Sequence, residues 1–191
     1  ISDKETVVKK NPQINGYLNF INKINQHWGY GMFATYVKSE FSNYDTRLSL
    51  IPKVEYDVFK YRDFNSQRLV ISYGLGVQYN NYKDTTIFYK TEETLLLHDA
   101  AIIGSFTKPW GNINVGAFYN SYLHDLAKYS LSFSGAVNWN IFKGFKFAVG
   151  GSYDITHNLI QLSKDGATRD EVLLQQKQLD SQYCYFFGVG I

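Results

Sequence analysis

Four residues have the side chains that nucleophilic catalysis needs. His124-Asp125 lies in one connection, Ser130 begins the segment after it, and His157 follows a later segment at the same predicted end. A hydrolase or acyltransferase acting on lipids would hold a serine, a histidine and a carboxylate within hydrogen-bonding reach. No nucleophile motif surrounds Ser130, and histidines are common beside loops. The sequence therefore predicts no catalytic residue, and a lipid-modifying enzyme is the less favoured alternative.

Metal and cofactor chemistry has no better support. The four histidines show no ligand spacing, and a single cysteine excludes an internal disulfide and a cysteine-ligated zinc site. We expect Cys184 to point inward and to be inert. His98-Asp99 lies inside a predicted strand, where a lumen or packing role is expected. The sequence predicts no cofactor and no metal.

Seven ionisable side chains share one face of the predicted strands. Ionisable groups at membrane depth are costly unless they face water or one another. We expect these residues to line the lumen of a barrel, either as a structural ion network or as a narrow conduit with weak charge selectivity. They are Arg47, Lys53, Glu55, Asp57, Arg68, Lys146 and Asp154.

The elements that position these side chains are long strands. Between Tyr129 and Ile155, apolar residues alternate with Ser, Asn, Gly and charged residues on both sides of a Lys143-Gly144 turn. A period of two indicates strands joined as a hairpin. Strands of globular proteins usually stop at about 5–6 residues, whereas a tilted strand that crosses a membrane needs about 9–11. Both arms are long enough to cross.

The composition agrees with a membrane barrel and argues against a nucleic-acid-binding protein and against membrane helices. The chain of 191 residues fits one domain, 1–191, and is rich in Tyr (16) and Phe (14) but has only 3 Pro. Aromatic residues favour pleated surfaces. A net charge of +2 with mixed signs leaves no nucleic-acid footprint. Mean hydropathy of −0.28 argues against membrane helices but not against membrane strands, in which only alternate residues meet lipid.

The connections and aromatic residues indicate an orientation. Connections near Asn25, Pro109 and Lys143 are short, whereas those near Asp84 and Asp170 are long and charged, as in bacterial outer-membrane barrels. Aromatic rings beside the short turns are expected at a membrane interface. These are Trp28, Trp110, Trp139, Phe142 and Phe145.

About nine strands are visible, with a bulge or bend expected at Pro52. Single-chain bacterial barrels have an even number of strands. We therefore expect at least one strand before residue 12, a longer protein, and an antiparallel up-and-down transmembrane β-barrel of 10–12 strands. The open alternative is a soluble lipocalin-like barrel or sandwich with its apolar face inside.

The connection 158–180 is the best candidate for a partner surface or a plug. Thr168 and Glu171 have the spacing of a capping box, which predicts a short helix over 169–178. Its apolar side chains are unusual for a solvent-exposed loop without a binding role. Either plugging of the lumen or docking on a partner explains them. They are Val172, Leu173, Leu174 and Leu179.

Several segments resemble a Bacteroidota family of outer-membrane β-barrel proteins related to a domain of unknown function. The resemblance covers most of residues 12–191 and rests on LIPKVEYDVFKY, RLVISYGLGVQYNNYKDTTIFYKTEE, PWGNINVGAFYNSYLHD, IFKGF and above all DGATRDEVLLQQKQLDSQYCYFFGVGI. Asp165 stands where the family often has Gly. The resemblance implies an outer-membrane location, contact with lipid and lipopolysaccharide, and a barrel fold, but no activity. We expect a non-enzymatic accessory or structural subunit of a cell-envelope complex, with a narrow channel for small polar solutes as the alternative.

Overall fold

The computed structural model describes residues 13–142, 144–164 and 182–190. Within these ranges the chain forms one antiparallel up-and-down sheet of nine strands, each paired with the next along the chain. This confirms the predicted all-β meander. The strands are β1 (Gln13–Lys23), β2 (Trp28–Ser39), β3 (Tyr44–Asp57), β4 (Gln67–Tyr82), β5 (Glu92–Lys108), β6 (Gly111–Tyr122), β7 (Asp125–Phe142), β8 (Phe145–Thr156) and β9 (Gln182–Gly190).

The register separates each strand into two faces. Leu50, Val77 and Leu96 lie side by side on one face, and Ser49, Gln78 and Leu95 lie side by side on the other. The face of Leu50 carries most large apolar side chains and is exposed. The face of Ser49 carries the charged residues of the strand interiors and is largely buried across β3 to β5. Burial is thus the reverse of that in a water-soluble sheet.

The sheet curves toward the face of Ser49, which we call the concave face; the opposite face is the convex face. One cavity of about 400 Å³ touches Asn19 on β1 and Phe118 on β6. In a flat sheet these strands would lie about 24 Å apart, at ~4.8 Å per strand. A cavity of this size reaches both only because the strands wrap around it.

The curved sheet is open in the part of the chain that the structure describes. There β1 pairs with β2 alone and β9 with β8 alone. The predicted closed barrel therefore goes beyond what this structure shows.

The two ends of the sheet carry different connections, but the predicted asymmetry is only partial. One end, the turn end, has the connections 24–27, 58–66, 109–110 and 143–144; the other, the loop end, has 40–43, 83–91, 123–124 and 157–181. Segment 58–66 equals 83–91 in length, and 123–124 is as short as any connection at the turn end. The asymmetry therefore rests on the connection 157–181.

Asn43 joins three connections at the loop end. Its side-chain amide donates hydrogen bonds to the carbonyl oxygens of Asp84 (2.9 Å) and Gln161 (2.8 Å), and its Oδ1 accepts one from the Asp84 amide. Asn43 has φ 58°, a left-handed conformation that asparagine tolerates better than most residues. An isolated β-bridge between Thr86 and Ser163 also joins connection 83–91 to connection 157–181.

A small hydrophobic core fills the concave face beneath these connections. Ile87 is fully buried, and the cluster includes residues of strands and of the last connection. The predicted plug residues Thr168, Glu171, Val172, Leu173, Leu174 and Leu179, and the predicted helix, lie outside the described residues. Among the described residues, the loop end of the concave face is filled by positions that the sequence pattern did not single out. The clustered residues are Ile51, Leu95, Leu97, Tyr122 and Ile160.

The bulge predicted at Pro52 is absent. The pairing of β3 with β4 keeps one register from Leu50 to Lys53, and the shifts fall near the ends of strands, at Val37/Ser39 and Tyr44/Thr46. Proline has no N–H to donate, so the ladder loses a bond at this point without gaining a residue.

Glycine on the concave face allows the strands to curve closely. A Cβ at Gly76 would lie 2.5 Å from the Leu50 carbonyl oxygen and 2.7 Å from Ile51 Cγ1. A Cβ at Gly16, on the convex face of β1, would meet only Tyr36 Cβ at 3.9 Å. The site at Gly16 therefore has room for an alanine side chain, and the site at Gly76 does not.

We predict that Gly76→Ala destabilises the fold by about 1–3 kcal/mol, because the new methyl group overpacks against backbone. Gly16→Ala is the matched control and should leave stability nearly unchanged. Guanidinium unfolding of the folded protein in detergent micelles, followed by circular dichroism, measures both. Equal stability of the two variants would contradict the close packing of β3 on β4.

Candidate functional site

The predicted charged residues all lie on the concave face, and at the turn end they form ion pairs. Lys23 donates hydrogen bonds to Glu55 and to Asp57, two strands away. Lys53 donates to Asp99, also two strands away. Glu55 and Asp57 are only 8% and 3% exposed, so their charges depend on these partners.

Two members of this network were not predicted as charged lumen residues. Lys23 ends a strand with weak alternation, and nothing nearby in the sequence marks its carboxylate partners. Asp99 was noted only as part of the dipeptide His98-Asp99. A pattern search that paired every lysine with carboxylates on strands two apart would have found both, but it needs the register.

Arg68 differs from Lys23 and Lys53, which both form ion pairs with carboxylates of the concave face. Its guanidinium lies over the Phe64 ring, with 4.4 Å between Cζ and the ring centroid. Its Nε atom is buried and has no hydrogen-bond partner. No carboxylate among the described residues pairs with it.

These groups line the cavity of about 400 Å³ on the concave face. Lys53, Glu55, Arg68 and Asp99 are its charged lining residues, and Asn19 and Ser72 are further polar ones. The remaining wall is mostly apolar, and its members include Ile21, Phe33, Val70, Ile103 and Phe118.

A second polar network lies nearer the loop end. Arg47 donates a hydrogen bond to Gln78 (2.9 Å), Gln78 to Asn80 (3.0 Å), and Asn80 to the Tyr82 hydroxyl (3.2 Å). Tyr82 in turn donates to Glu93. A cation and an anion are thus connected through three neutral groups, which satisfies buried polar atoms.

At the exposed surface of the loop end, Glu40 accepts a hydrogen bond of 2.6 Å from Lys83. That bond raises the pKa of the Lys83 ammonium. The Glu40–Lys83 hydrogen bond links connections 40–43 and 83–91, which Asn43 also links.

The last two charged positions, on β8, are less enclosed. Asp154 accepts a hydrogen bond from the Ser132 hydroxyl, and Lys146 is exposed. Cys184, an exposed free cysteine, pairs opposite Asp154 and so shares the concave face.

His98 and Asp99 point to opposite faces. His98 lies on the convex face, where its ring is 6.0 Å from that of Tyr73 and 5.4 Å from that of Tyr119. Ring contacts continue from Tyr119 to Tyr129 and from there to His157, which stacks at 4.6 Å. The dipeptide thus supplies two aromatic contacts through His98 and one half-buried ion pair through Asp99.

The residues considered for nucleophilic catalysis have separate partners. Asp125 accepts a hydrogen bond from the Ala127 amide and lies 3.6 Å from Lys128 Nζ. The His124 ring packs near Tyr122, while that of His157 stacks on Tyr129. Ser130 lies on the concave face, between Asn120 and Thr156 in register.

The predicted interface aromatics lie together at the turn end. Trp28 packs edge-on against Tyr56 at 4.9 Å, and Phe142 stacks on Phe145 at 5.1 Å. Trp110 and Trp139 are 42% and 51% exposed. Tyr129, which lies nearer the loop end, was not among the predicted interface aromatics.

Within residues 13–142, 144–164 and 182–190, no three His, Cys, Asp or Glu side chains are grouped as a metal site would require. A search of the same residues finds no helix with the length and apolar character to span a membrane. Comparison with family models, curated proteins and solved structures finds no match to the chain.

We predict that Lys53→Met costs about 2–3 kcal/mol of stability, because Asp99 is left unpaired within the concave face. Lys38→Met breaks the Lys38–Asp45 pair, which is 2.8 Å long and exposed, and should have little effect. Denaturant unfolding of the two variants provides the comparison. A similar loss of stability in both variants would show that enclosure of the Lys53–Asp99 pair does not increase its contribution to stability.

Proposed function

We propose that the chain forms part of the wall of an outer-membrane β-barrel and serves as a non-enzymatic accessory or structural subunit of a cell-envelope complex. The observation that carries the proposal is the reversed burial of the sheet. Leu75 and Leu96 are 50% and 60% exposed on the convex face, whereas Gln78 and Asn80 are 2% and 0% exposed on the concave face. Lipid is the solvent that favours this arrangement.

The length of the apolar band supports a membrane location. On the convex face of β7, Tyr129 and Trp139 bracket the apolar residues Leu131, Phe133 and Val137. The bracketed strand spans about 33 Å at ~3.3 Å per residue. With the ~40° tilt usual for membrane strands, this is ~25 Å along the membrane normal, the usual height of the apolar band.

The proposed barrel has 10–12 strands in all and closes through one or more further strands between the edges of β1 and β9. Lipid and lipopolysaccharide would then contact the convex face, and other outer-membrane proteins would bind at the loop end. Supporting this, three connections at the loop end form one hydrogen-bonded surface around Asn43.

The lipid-facing assignment predicts different environments for adjacent residues. In the full-length protein with Cys184→Ser, Phe133→Cys and Ser134→Cys introduce labels at the same depth on opposite faces; both sites are exposed. In liposomes with brominated lipid, a fluorophore at 133 should be strongly quenched and one at 134 only weakly. Equal quenching, or protein that stays in the aqueous phase, would favour the soluble alternative.

The conduit alternative predicts ion flow, and our proposal predicts none. Ile87 and Ile160 are 0% and 5% exposed where they fill the loop end of the concave face. Planar-bilayer recordings of the full-length protein should therefore be silent, with the quenching contrast as the control for insertion. A steady open conductance would contradict the closed interior.

A further inference from the structure

We propose that the cavity of about 400 Å³ on the concave face binds a small monocarboxylate with an apolar body, anchored by Arg68. This inference rests on the proposed function, since it takes the concave face as the interior of the protein. It adds a ligand class to a face that the proposal otherwise treats as structural.

Among the described cations in or beside the cavity, Arg68 is the one without an ion pair. Lys23 is taken by Glu55 and Asp57, and Lys53 by Asp99. Arg68 has no such partner among the residues described, and its buried Nε lacks a hydrogen bond. A guanidinium stays protonated and has five N–H donors, so an unpaired one lining a cavity needs acceptor oxygens.

The geometry around Arg68 favours a planar acceptor. The Phe64 ring lies against the guanidinium, with 4.4 Å between Cζ and the ring centroid. The N–H donors lie along the edge of the planar guanidinium, and two of them can form parallel hydrogen bonds with one carboxylate. Contact with Phe64 limits the positions that the guanidinium can take when it binds a carboxylate.

The rest of the wall restricts what the carboxylate can be attached to. Phe33, Val70, Ile103 and Phe118 offer apolar contact. Glu55 and Asp99 also line the cavity, and they would repel a second negative charge on the ligand. A monoanion with a hydrocarbon or aromatic body therefore fits better than a phosphate or a dicarboxylate.

Size and closure favour binding over passage. The cavity volume lies within the ~300–1,000 Å³ usual for small-molecule sites. Toward the loop end, the packed core of Ile51, Leu95 and Ile160 ends the open space. This core opposes passage of a ligand from the cavity toward the loop end.

The test compares two ligands of the same shape and opposite charge. The full-length protein in lipid nanodiscs is titrated with 3-phenylpropionate and with 3-phenylpropylamine, and binding is measured by calorimetry and saturation-transfer NMR. Phenylpropionate should bind and the amine should not. Equal binding of both, or no binding of phenylpropionate up to its solubility limit, would overturn the proposal.

Variants then locate the site. Arg68→Gln should weaken phenylpropionate binding by at least about tenfold, since it removes the charge-assisted pair. Lys146→Gln removes an exposed cation of the same face outside the cavity and should bind as the unmodified protein does. Unchanged affinity in Arg68→Gln, or an equal loss in both, overturns the assignment to Arg68.

A second variant keeps the test decisive if Arg68→Gln fails to fold. Ala101→Leu fills part of the cavity without removing a charge and should also abolish binding; undiminished binding would overturn the proposal. The lipid-quenching contrast between positions 133 and 134 is measured on the same preparations. If the unmodified protein does not bind phenylpropionate although the contrast is present, the ligand site alone is refuted, whereas absence of the contrast refutes the membrane assignment.

Discussion

The free-energy cost of enclosing charge is the constraint on which this sheet depends. Glu55 and Asp57 are almost fully buried, and ionised carboxylates tolerate such burial only when cations and hydrogen bonds replace water. Lys23 supplies the replacement from two strands away. Its side chain reaches across β2 because Gly29 has no side chain in the way, and curvature of the sheet shortens that reach. Charge pairing and curvature therefore favour one another.

Close backbone packing makes that curvature possible. Gly74 and Gly76 leave the space that Ile51 and the stem of Lys53 occupy, and a Cβ at either position would lie below 3 Å from its neighbours. Larger residues there would push β3 away from β4 and separate Lys53 from Asp99. The small residues of β4 thus position the ion pair, although they contribute no polar atom to it.

Local pattern was enough to predict the strands but not their long-range partners. The period of two identifies nearly every strand, because alternate burial is a property of each strand alone. The pairing of Lys23 with Glu55 joins residues that are far apart in sequence, and only the register shows that they meet. The buried positions of Ile87 and Ile160 depend on how two connections fold onto one another. The short apolar run Leu95-Leu96-Leu97 blurred the alternation because Leu95 and Leu97 belong to the core of the concave face.

Asn43 has a consequence for how the loop end can change over time. Surface connections ordinarily diverge one by one, since each touches little besides solvent. Here a single amide holds the backbone of two other connections, at Asp84 and Gln161, while it adopts a left-handed backbone conformation itself. An insertion in any one of the three would displace the other two. Their lengths should therefore be inherited as a set, and new recognition properties at this end should arise by exchanging side chains rather than by lengthening loops.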